Sequence, residues 1–455
     1  PLEGIELALG DTAEINYAKG CHTYKFLPGI SSSLFKNNDG FKVEFYNGQE
    51  FEGSPIETKI LKGNKFWAMG GFGLDIVAQS ERPSLSVRFT GELQPEFSGE
   101  YNFEIFSIGP SRLSINGENL IDNWSSQEPG DAFFGMGSAP RREKINFEKG
   151  ETYLLEVEYK WEGRFPAVQI GMQPPDQFDL MEEAITLAKE SDAVVLIAGT
   201  NSDWETEGND RANLDLPSNQ NELIETICKL NKNTVVVLNT GSPCEMPWVE
   251  DAKAILQCWF PGQEFGNSLA DILLGKINPS GKLPTTFPKK LSDTPAYPTY
   301  PGKDMQMDYK EGLFIGYRWY DKESIEPLFP FGHGLSYTTF EYSNLRAMPP
   351  KGNSSVAAFE VDITNTGDIA GKEVLQGYIT VNGSQIERPQ KELKKFEKIS
   401  LESGETKKVK FELSEKDLSF WSIENNTWQV EPAEYTFSIG ASATDIKDSV
   451  SVWLG

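Results

Sequence analysis

Positive charge is scarce in this sequence: 42 Lys and Arg stand against 68 Asp and Glu, a formal net charge of −26 over 455 residues. That balance argues against nucleic acid and against anionic membrane surfaces as partners, and suits a neutral or cationic one, or simply solubility. Histidine is scarcer, with only His22 and His333. A histidine-based metal site and a serine triad are both set aside on that ground, and the half-matching Gly266-Asn-Ser-Leu-Ala270 falls inside a predicted helix. No apolar run reaches the roughly 18 residues of a transmembrane helix. Neither GxxxxGK[ST] nor a strand-linked GxGxxG is present, so no cofactor is expected. The four cysteines (Cys21, Cys228, Cys244, Cys258) lack CxxC spacing, which argues against zinc. They are expected as buried free thiols, with a Cys244–Cys258 bridge left open. The chain opens at Pro1 with neither a start Met nor a signal peptide pattern, and is expected to be a piece of a longer product.

What is present is enough apolar material for several cores. The chain is 38 % hydrophobic and 12 % aromatic, and its length predicts about three domains. Pro1–Gly10 reads as a short helix stopped at glycine, and Ile15–Cys21 as a strand with no partner before it. From about Asp39 to Pro174 the pattern is pure β, as in Phe41-Lys-Val-Glu-Phe-Tyr46 and Tyr153-Leu-Leu-Glu-Val-Glu-Tyr159, with turns such as Asn116-Gly117. This predicts a sandwich or barrel. Its aromatics Trp67, Phe72, Phe133, Phe134 and Trp161 suit sugar stacking, but core positions are the more ordinary reading. Asn123, Asn353, Asn382 and Asn425 fit the glycosylation triplet and leave the compartment open.

Residues 178–290 alternate strand and helix: a helix at Leu180–Lys189, strands at Ala193–Ala198, Thr234–Asn239 and Ala254–Trp259, and helices at 219–230 and from Gly266 to Leu274. Three such units predict a parallel sheet with helices on both faces, its strand-end turns gathered on one edge. Residues 291–345, rich in Pro, Tyr and Gly, read as an ordered wrapping segment. From about 355 some seven strands in a hundred residues suggest an immunoglobulin-like or fibronectin-like sandwich.

The chemistry concentrates between Gly199 and Leu216, a polar loop between a buried strand and a helix expected to be capped at Ser218. Glu205 and Glu207 sit beside Trp204, Gly208, Asp210 and Arg211. A carboxyl for proton transfer, an aromatic plate and a glycine permitting close approach suit a sugar site. A solvated acidic loop is the plain alternative.

Glu207-Gly-Asn-Asp-Arg211 followed by Leu214-Asp-Leu-Pro217 resembles the glycoside hydrolase family 3 β-glucosidases. The likeness continues through Asn239-Thr-Gly-Ser-Pro243, Trp259-Phe-Pro-Gly-Gln-Glu264, Asn278-Pro-Ser-Gly-Lys-Leu-Pro284 and Phe329-Pro-Phe-Gly-His-Gly-Leu-Ser-Tyr337. The resemblance implies a multidomain α/β plus all-β chain. An α/β sandwich with a mainly parallel sheet (1–34 and 176–345) would be interrupted by a PA14-like β domain (35–175) and followed by a fibronectin-III-like β-sandwich (346–455). It further implies retaining, exo-acting hydrolysis of terminal β-D-glucosyl residues, with Glu207 as acid/base and Glu205 as its rival, either with a raised pKa in a partly enclosed pocket. Trp204 and Glu205 would contact substrate, and Asp210 and Arg211 would pair with each other or brace the loop. The family's nucleophile belongs to an N-terminal barrel that nothing here resembles; Ser202-Asp-Trp204 spells its motif in the wrong domain and is read as coincidence. The expected partners are a β-glucoside or short oligosaccharide and the barrel segment, with a homo-oligomer left open and no metal. A β-xylosidase of the same family and a non-catalytic sugar-binding chain are the alternatives.

Overall fold

The computed structural model describes all residues except 39, 63–64, 68–83, 163–164, 209 and 351–354. The helix Leu2–Leu9 ends at Gly10, whose φ of 53° lies in the left-handed region. Ile15–Cys21, expected to form a strand, joins no ladder among the described residues.

The β-rich insertion forms β1 (Phe41–Asn47), β2 (Glu57–Leu61), β3 (Lys65–Trp67), β4 (Ser84–Leu93), β5 (Gly99–Ile108), β6 (Ser111–Ile115), β7 (Glu118–Asn123), β8 (Arg141–Phe147), β9 (Tyr153–Glu162) and β10 (Ala167–Gln173). They build antiparallel sheets in the orders β2-β1-β4-β9-β6-β7 and β3-β10-β5-β8. Alternation places Phe41, Val43, Phe45, Val87, Phe89, Phe103, Val157 and Trp161 in one shared core. Trp161 and Phe133 are therefore core residues, while Phe134 is 48 % exposed. Phe72 lies outside the described residues, and Trp67 contributes its backbone to β3. Asn123 is fully buried, its amide donating to Ser107, Ser111 and Ser138, and so is closed to glycosylation.

The α/β part follows. The helix Leu180–Glu190 starts at Asp179, whose carboxylate accepts from the N–H groups of Met181 and Glu182. Strands β11 (Val194–Gly199), β12 (Thr234–Asn239) and β13 (Ala254–Gln257) run parallel in that order. The helices Leu180–Glu190 and Gln220–Leu230 share a core with Leu196, Ala198, Val236 and Leu238, which covers one face of the sheet. The other face is closed over Val237 and open over Val195 and Ile197, so the expectation of complete cover on both faces holds for one. The N-terminal helix packs on the helix Phe265–Leu273 through Gly4 and Gly266; a β-carbon on Gly4 would lie 2.3 Å from the Gly266 carbonyl carbon. All four cysteines are free thiols.

Segment 291–345 is ordered, as its aromatics suggest. Its helix Tyr317–Glu323 is held on the last domain by the Tyr317 hydroxyl, which accepts from the Leu393 N–H at 2.8 Å, and by the Asp321–Lys391 pair at 2.7 Å. That domain comprises β14 (Phe340–Met348), β15 (Ala357–Asn365), β16 (Gly371–Asn382), β17 (Glu392–Leu401), β18 (Thr406–Leu413), β19 (Phe420–Ser422), β20 (Thr427–Gln429), β21 (Ala433–Gly440) and β22 (Ile446–Leu454). Its two main sheets, β14-β15-β18 and β17-β16-β21-β22, meet where Phe359 stacks on Phe437 with centroids 4.2 Å apart.

Candidate active site

The three parallel strands end at one edge, and the turns that follow them converge there. Loop 199–216 supplies Trp204, Glu205, Glu207, Asp210 and Arg211; the turn after β12 supplies Gly241 and Ser242; the turn after β13 supplies Phe260. Together they line an open depression of about 610 Å³. Such an edge is where open α/β sheets offer backbone groups and loop side chains to a ligand.

Gln220 closes the neck of the loop. Its side chain accepts from the Gly199 N–H at 2.7 Å and donates to the carbonyls of Gly199 and Pro217, both at 2.9 Å. Ser218, expected as the helix cap, is not one. It sits at φ 59°, and the helix Gln220–Leu230 begins at Asn219 with no side-chain cap bond. The chain spends that turn reversing direction, and Gln220 holds the geometry instead.

Glu205 and Glu207, two residues apart, have opposite surroundings. Glu205 is 13 % exposed at its side chain. Its Oε1 accepts from the Thr200 hydroxyl at 2.5 Å and the Gly241 N–H at 3.2 Å, and lies 3.7 Å from the Arg211 guanidinium. Glycine is required at 241, because a β-carbon there would stand 2.5 Å from Glu205 Oε2 and 2.6 Å from the Phe260 ring. Glu207 is exposed, and among the described residues its carboxylate has no hydrogen-bond or ionic partner.

Asp210 and Arg211 do not pair with each other. Asp210 accepts from the Tyr300 hydroxyl, which pushes that phenol's pKa up. Arg211 donates to Ser242 Oγ at 3.0 Å and to the Asp215 carbonyl at 2.7 Å. Both brace the loop, Asp210 through Tyr300 and Arg211 through Ser242 and the nearby Asp215 carbonyl. Trp204 is half-buried, donating from its indole to the Thr23 carbonyl at 2.7 Å. Beneath the loop Cys244 is fully buried, and burial pushes its thiol up to about 12. Phe134 of the insertion reaches the same loop: a β-carbon on Gly208 would lie 3.4 Å from its ring.

Phe260, Ser242, Gln220 and Tyr300 were not singled out from the sequence. The turns carrying the first two were, as strand ends on one edge. Tyr300 sits in the wrapping segment, and nothing local ties it to Asp210. Among the described residues no three His, Cys, Asp or Glu side chains are grouped to hold a metal ion.

The profile of the glycosyl hydrolase family 3 C-terminal domain matches residues 127–337, that of the PA14 domain 73–177, and that of the fibronectin type III-like domain 373–443. A β-glucosidase of Rhizobium radiobacter is 36 % identical over 466 residues, covering 100 % of this chain and 55 % of the relative. A β-glucosidase of Kluyveromyces marxianus is 38 % identical over 472 residues, covering 98 % of this chain and 55 % of the relative. The crystal structure of a Kluyveromyces marxianus β-glucosidase in complex with glucose superposes with a TM-score of 0.88 at 36 % identity, covering 100 % of this chain and 56 % of that one. The chain thus spans about half the length of the curated relatives it matches. It belongs to glycoside hydrolase family 3, and it carries that family's C-terminal α/β domain together with a PA14 and a fibronectin type III-like domain.

Proposed function

We propose that this chain supplies the general acid/base half of a retaining, exo-acting β-glucosidase site, with Glu207 as the acid/base. The observation that carries this reading is the contrast between the two candidate carboxylates. A proton-transfer group must be free to meet the glycosidic oxygen and then a water, and Glu207 stands on the wall of the depression with no partner among the described residues. Glu205 is already occupied by a hydroxyl, a backbone N–H and a nearby guanidinium, contacts that hold it still. Its role in this reading is to fix the loop and to face substrate beside Trp204.

In the first half-reaction a carboxylate from outside this chain attacks the anomeric carbon. The carbon–oxygen bond to the leaving group breaks, and Glu207 gives its proton to that oxygen. In the second, Glu207 takes a proton from water, which attacks the same carbon; the bond between that carbon and the attacking carboxylate breaks, and glucose leaves with retained configuration. The nucleophile and most contacts to the glucose ring would come from an N-terminal barrel, which would also enclose Glu207. Phe134, beside Gly208, would border the leaving-group side and favour short substrates. This reading takes the domain limits at 34/35, 175/176 and 345/346.

The test is hydrolysis by the chain, alone and mixed with the upstream segment of its full-length protein. Substrates are an aryl β-glucoside with an activated leaving group and a β-linked glucose disaccharide. Turnover is expected only in the mixture. Glu207→Gln should lower disaccharide turnover by roughly 10²- to 10⁴-fold, and the first-turnover release of an activated aryl group far less, since a good leaving group needs no proton. Turnover by the chain alone, or a larger loss in Glu205→Gln than in Glu207→Gln, would overturn the assignment.

A further inference from the structure

The turn that brings Phe134 to the loop has an unfavourable backbone. Phe133 and Phe134 both lie in the left-handed region, at φ 54° and 59°. Two successive bulky residues rarely adopt it, so the surroundings must hold them there. Phe133 is buried with its ring 5.3 Å from that of Phe106, which anchors one side of the turn. On the other side stands Asp131, whose carboxylate lies 2.8 Å from the Lys25 ammonium.

Lys25 belongs to the segment that leads from the α/β domain into the insertion, and that segment is fastened at both ends. Towards the insertion, Arg142 donates to the Lys25 carbonyl at 2.7 Å, and the Leu27 N–H donates to Glu104 at 2.8 Å. Towards the loop, the Trp204 indole donates to the Thr23 carbonyl. The Lys25 side chain is 19 % exposed, and its ammonium stands 5.9 Å from the centre of the Trp204 ring, within cation–π range. One side chain therefore touches the turn that carries Phe134 and the aromatic that precedes the two candidate carboxylates. The contacts close a circuit: Trp204, Thr23, Lys25, Asp131, Phe134, Gly208 and back into the loop.

We infer that Lys25 is a positioning residue that sets the Phe133–Phe134 turn against the Glu207 loop, and so sets how tightly the site grips a leaving group. This rests on the reading of Glu207 as acid/base, because whatever neighbours the acid neighbours the leaving group.

The test compares Lys25→Met, Lys25→Arg, Asp131→Asn and the Lys25→Met/Asp131→Asn double variant in the assembly of chain and upstream segment. Lys25→Met should raise KM for a β-linked glucose disaccharide roughly five- to tenfold, the size of one lost aromatic contact, and change kcat less. Lys25→Arg should restore most of it, and the double variant should be no worse than the worse single one. Hydrogen exchange of the chain alone is the second readout: Lys25→Met should speed exchange at 130–137 and 203–208 and leave β11 and β12 as they were. Unchanged exchange in those two segments overturns the inference, as does a loss confined to kcat. If the wild-type assembly proves inactive, the glycosidase reading fails, and exchange alone decides the role of Lys25.

Discussion

In the PA14 sandwich Glu158 lies on β9 between two arginines: Arg88 Nη2 reaches one of its oxygens at 2.6 Å, and Arg112 Nε the other at 2.7 Å. Forty-nine positions further along the chain, Glu207 sits on a loop with no partner among the described residues. Both are glutamates near aromatic side chains, and their surroundings suit opposite tasks. Burial works to raise the Glu158 pKa and is outweighed by its two arginine bonds, so the group stays below the usual carboxylate range. A carboxylate so saturated with donors contributes to the fold and is poorly placed to move a proton. A bare one contributes little to the fold and is available for proton transfer. Glu205, with its hydroxyl, backbone and cationic neighbours, resembles Glu158 more than it resembles Glu207.

The largest effect on this contrast should come from Glu104, on β5, which is fully buried and is met by one arginine. Arg142→Met would leave that carboxylate with only the Leu27 N–H. Removing one partner of a buried pair costs about 3–5 kcal/mol, and the half-exposed Arg142 places this case near the lower end. Thermal unfolding should show the loss, and Arg142→Met/Glu104→Gln should recover much of it. If the single variant is as stable as wild type, water reaches Glu104 and the pair is not structural.

The loop gives a smaller and more specific difference. Glu205→Gln keeps the size of the side chain but removes its charge, weakening its hydroxyl and N–H bonds and the approach of Arg211; a loss of about 1–2 kcal/mol is expected. Glu207→Gln should stay within about 0.5 kcal/mol of wild type, as surface substitutions do. Measured by unfolding of the chain alone, equal losses would mean that Glu207 has a structural partner, and the contrast on which the proposed function rests would disappear.

Much of this was legible in the sequence because it is periodic. The alternation at Phe41–Tyr46 and Tyr153–Tyr159 and the apolar runs at 193–198 and 234–239 predict their strands, to within a residue, without knowledge of any neighbour. The loop after β11 was conspicuous because a buried strand ran into clustered carboxylates. What escaped depends on residues distant in the chain. Tyr300 meets Asp210 across 90 positions, and Arg211 meets Ser242 across 31, so of the two expectations for Asp210 and Arg211, a mutual pair or a brace for the loop, the contacts are those of a brace. Ile15–Cys21 has strand composition but joins no ladder among the described residues. The cap expected at Ser218 failed because that residue turns the chain rather than starting the helix.

The smallest effect, and the sharpest on sign, is in the pH dependence of stability. Glu104 and Glu158 are both buried in the same domain, and their pKa values move in opposite directions. At Glu104 burial prevails over the bonds from Arg142 and Leu27, and the pKa is raised. Protons are then bound more tightly in the folded state, so stability falls as pH rises from the ordinary glutamate range through the folded pKa. At Glu158 the bonds from Arg88 and Arg112 prevail, and the pKa is lowered. That contribution is fully present above the ordinary glutamate pKa and is lost as pH falls through the folded one. Glu104→Gln should therefore flatten the stability curve on the side above the ordinary glutamate range, and Glu158→Gln on the side below it. Urea unfolding of the two variants across a pH series checks both signs. If both flatten the same side, the second arginine is not what separates the two carboxylates, and burial alone governs them.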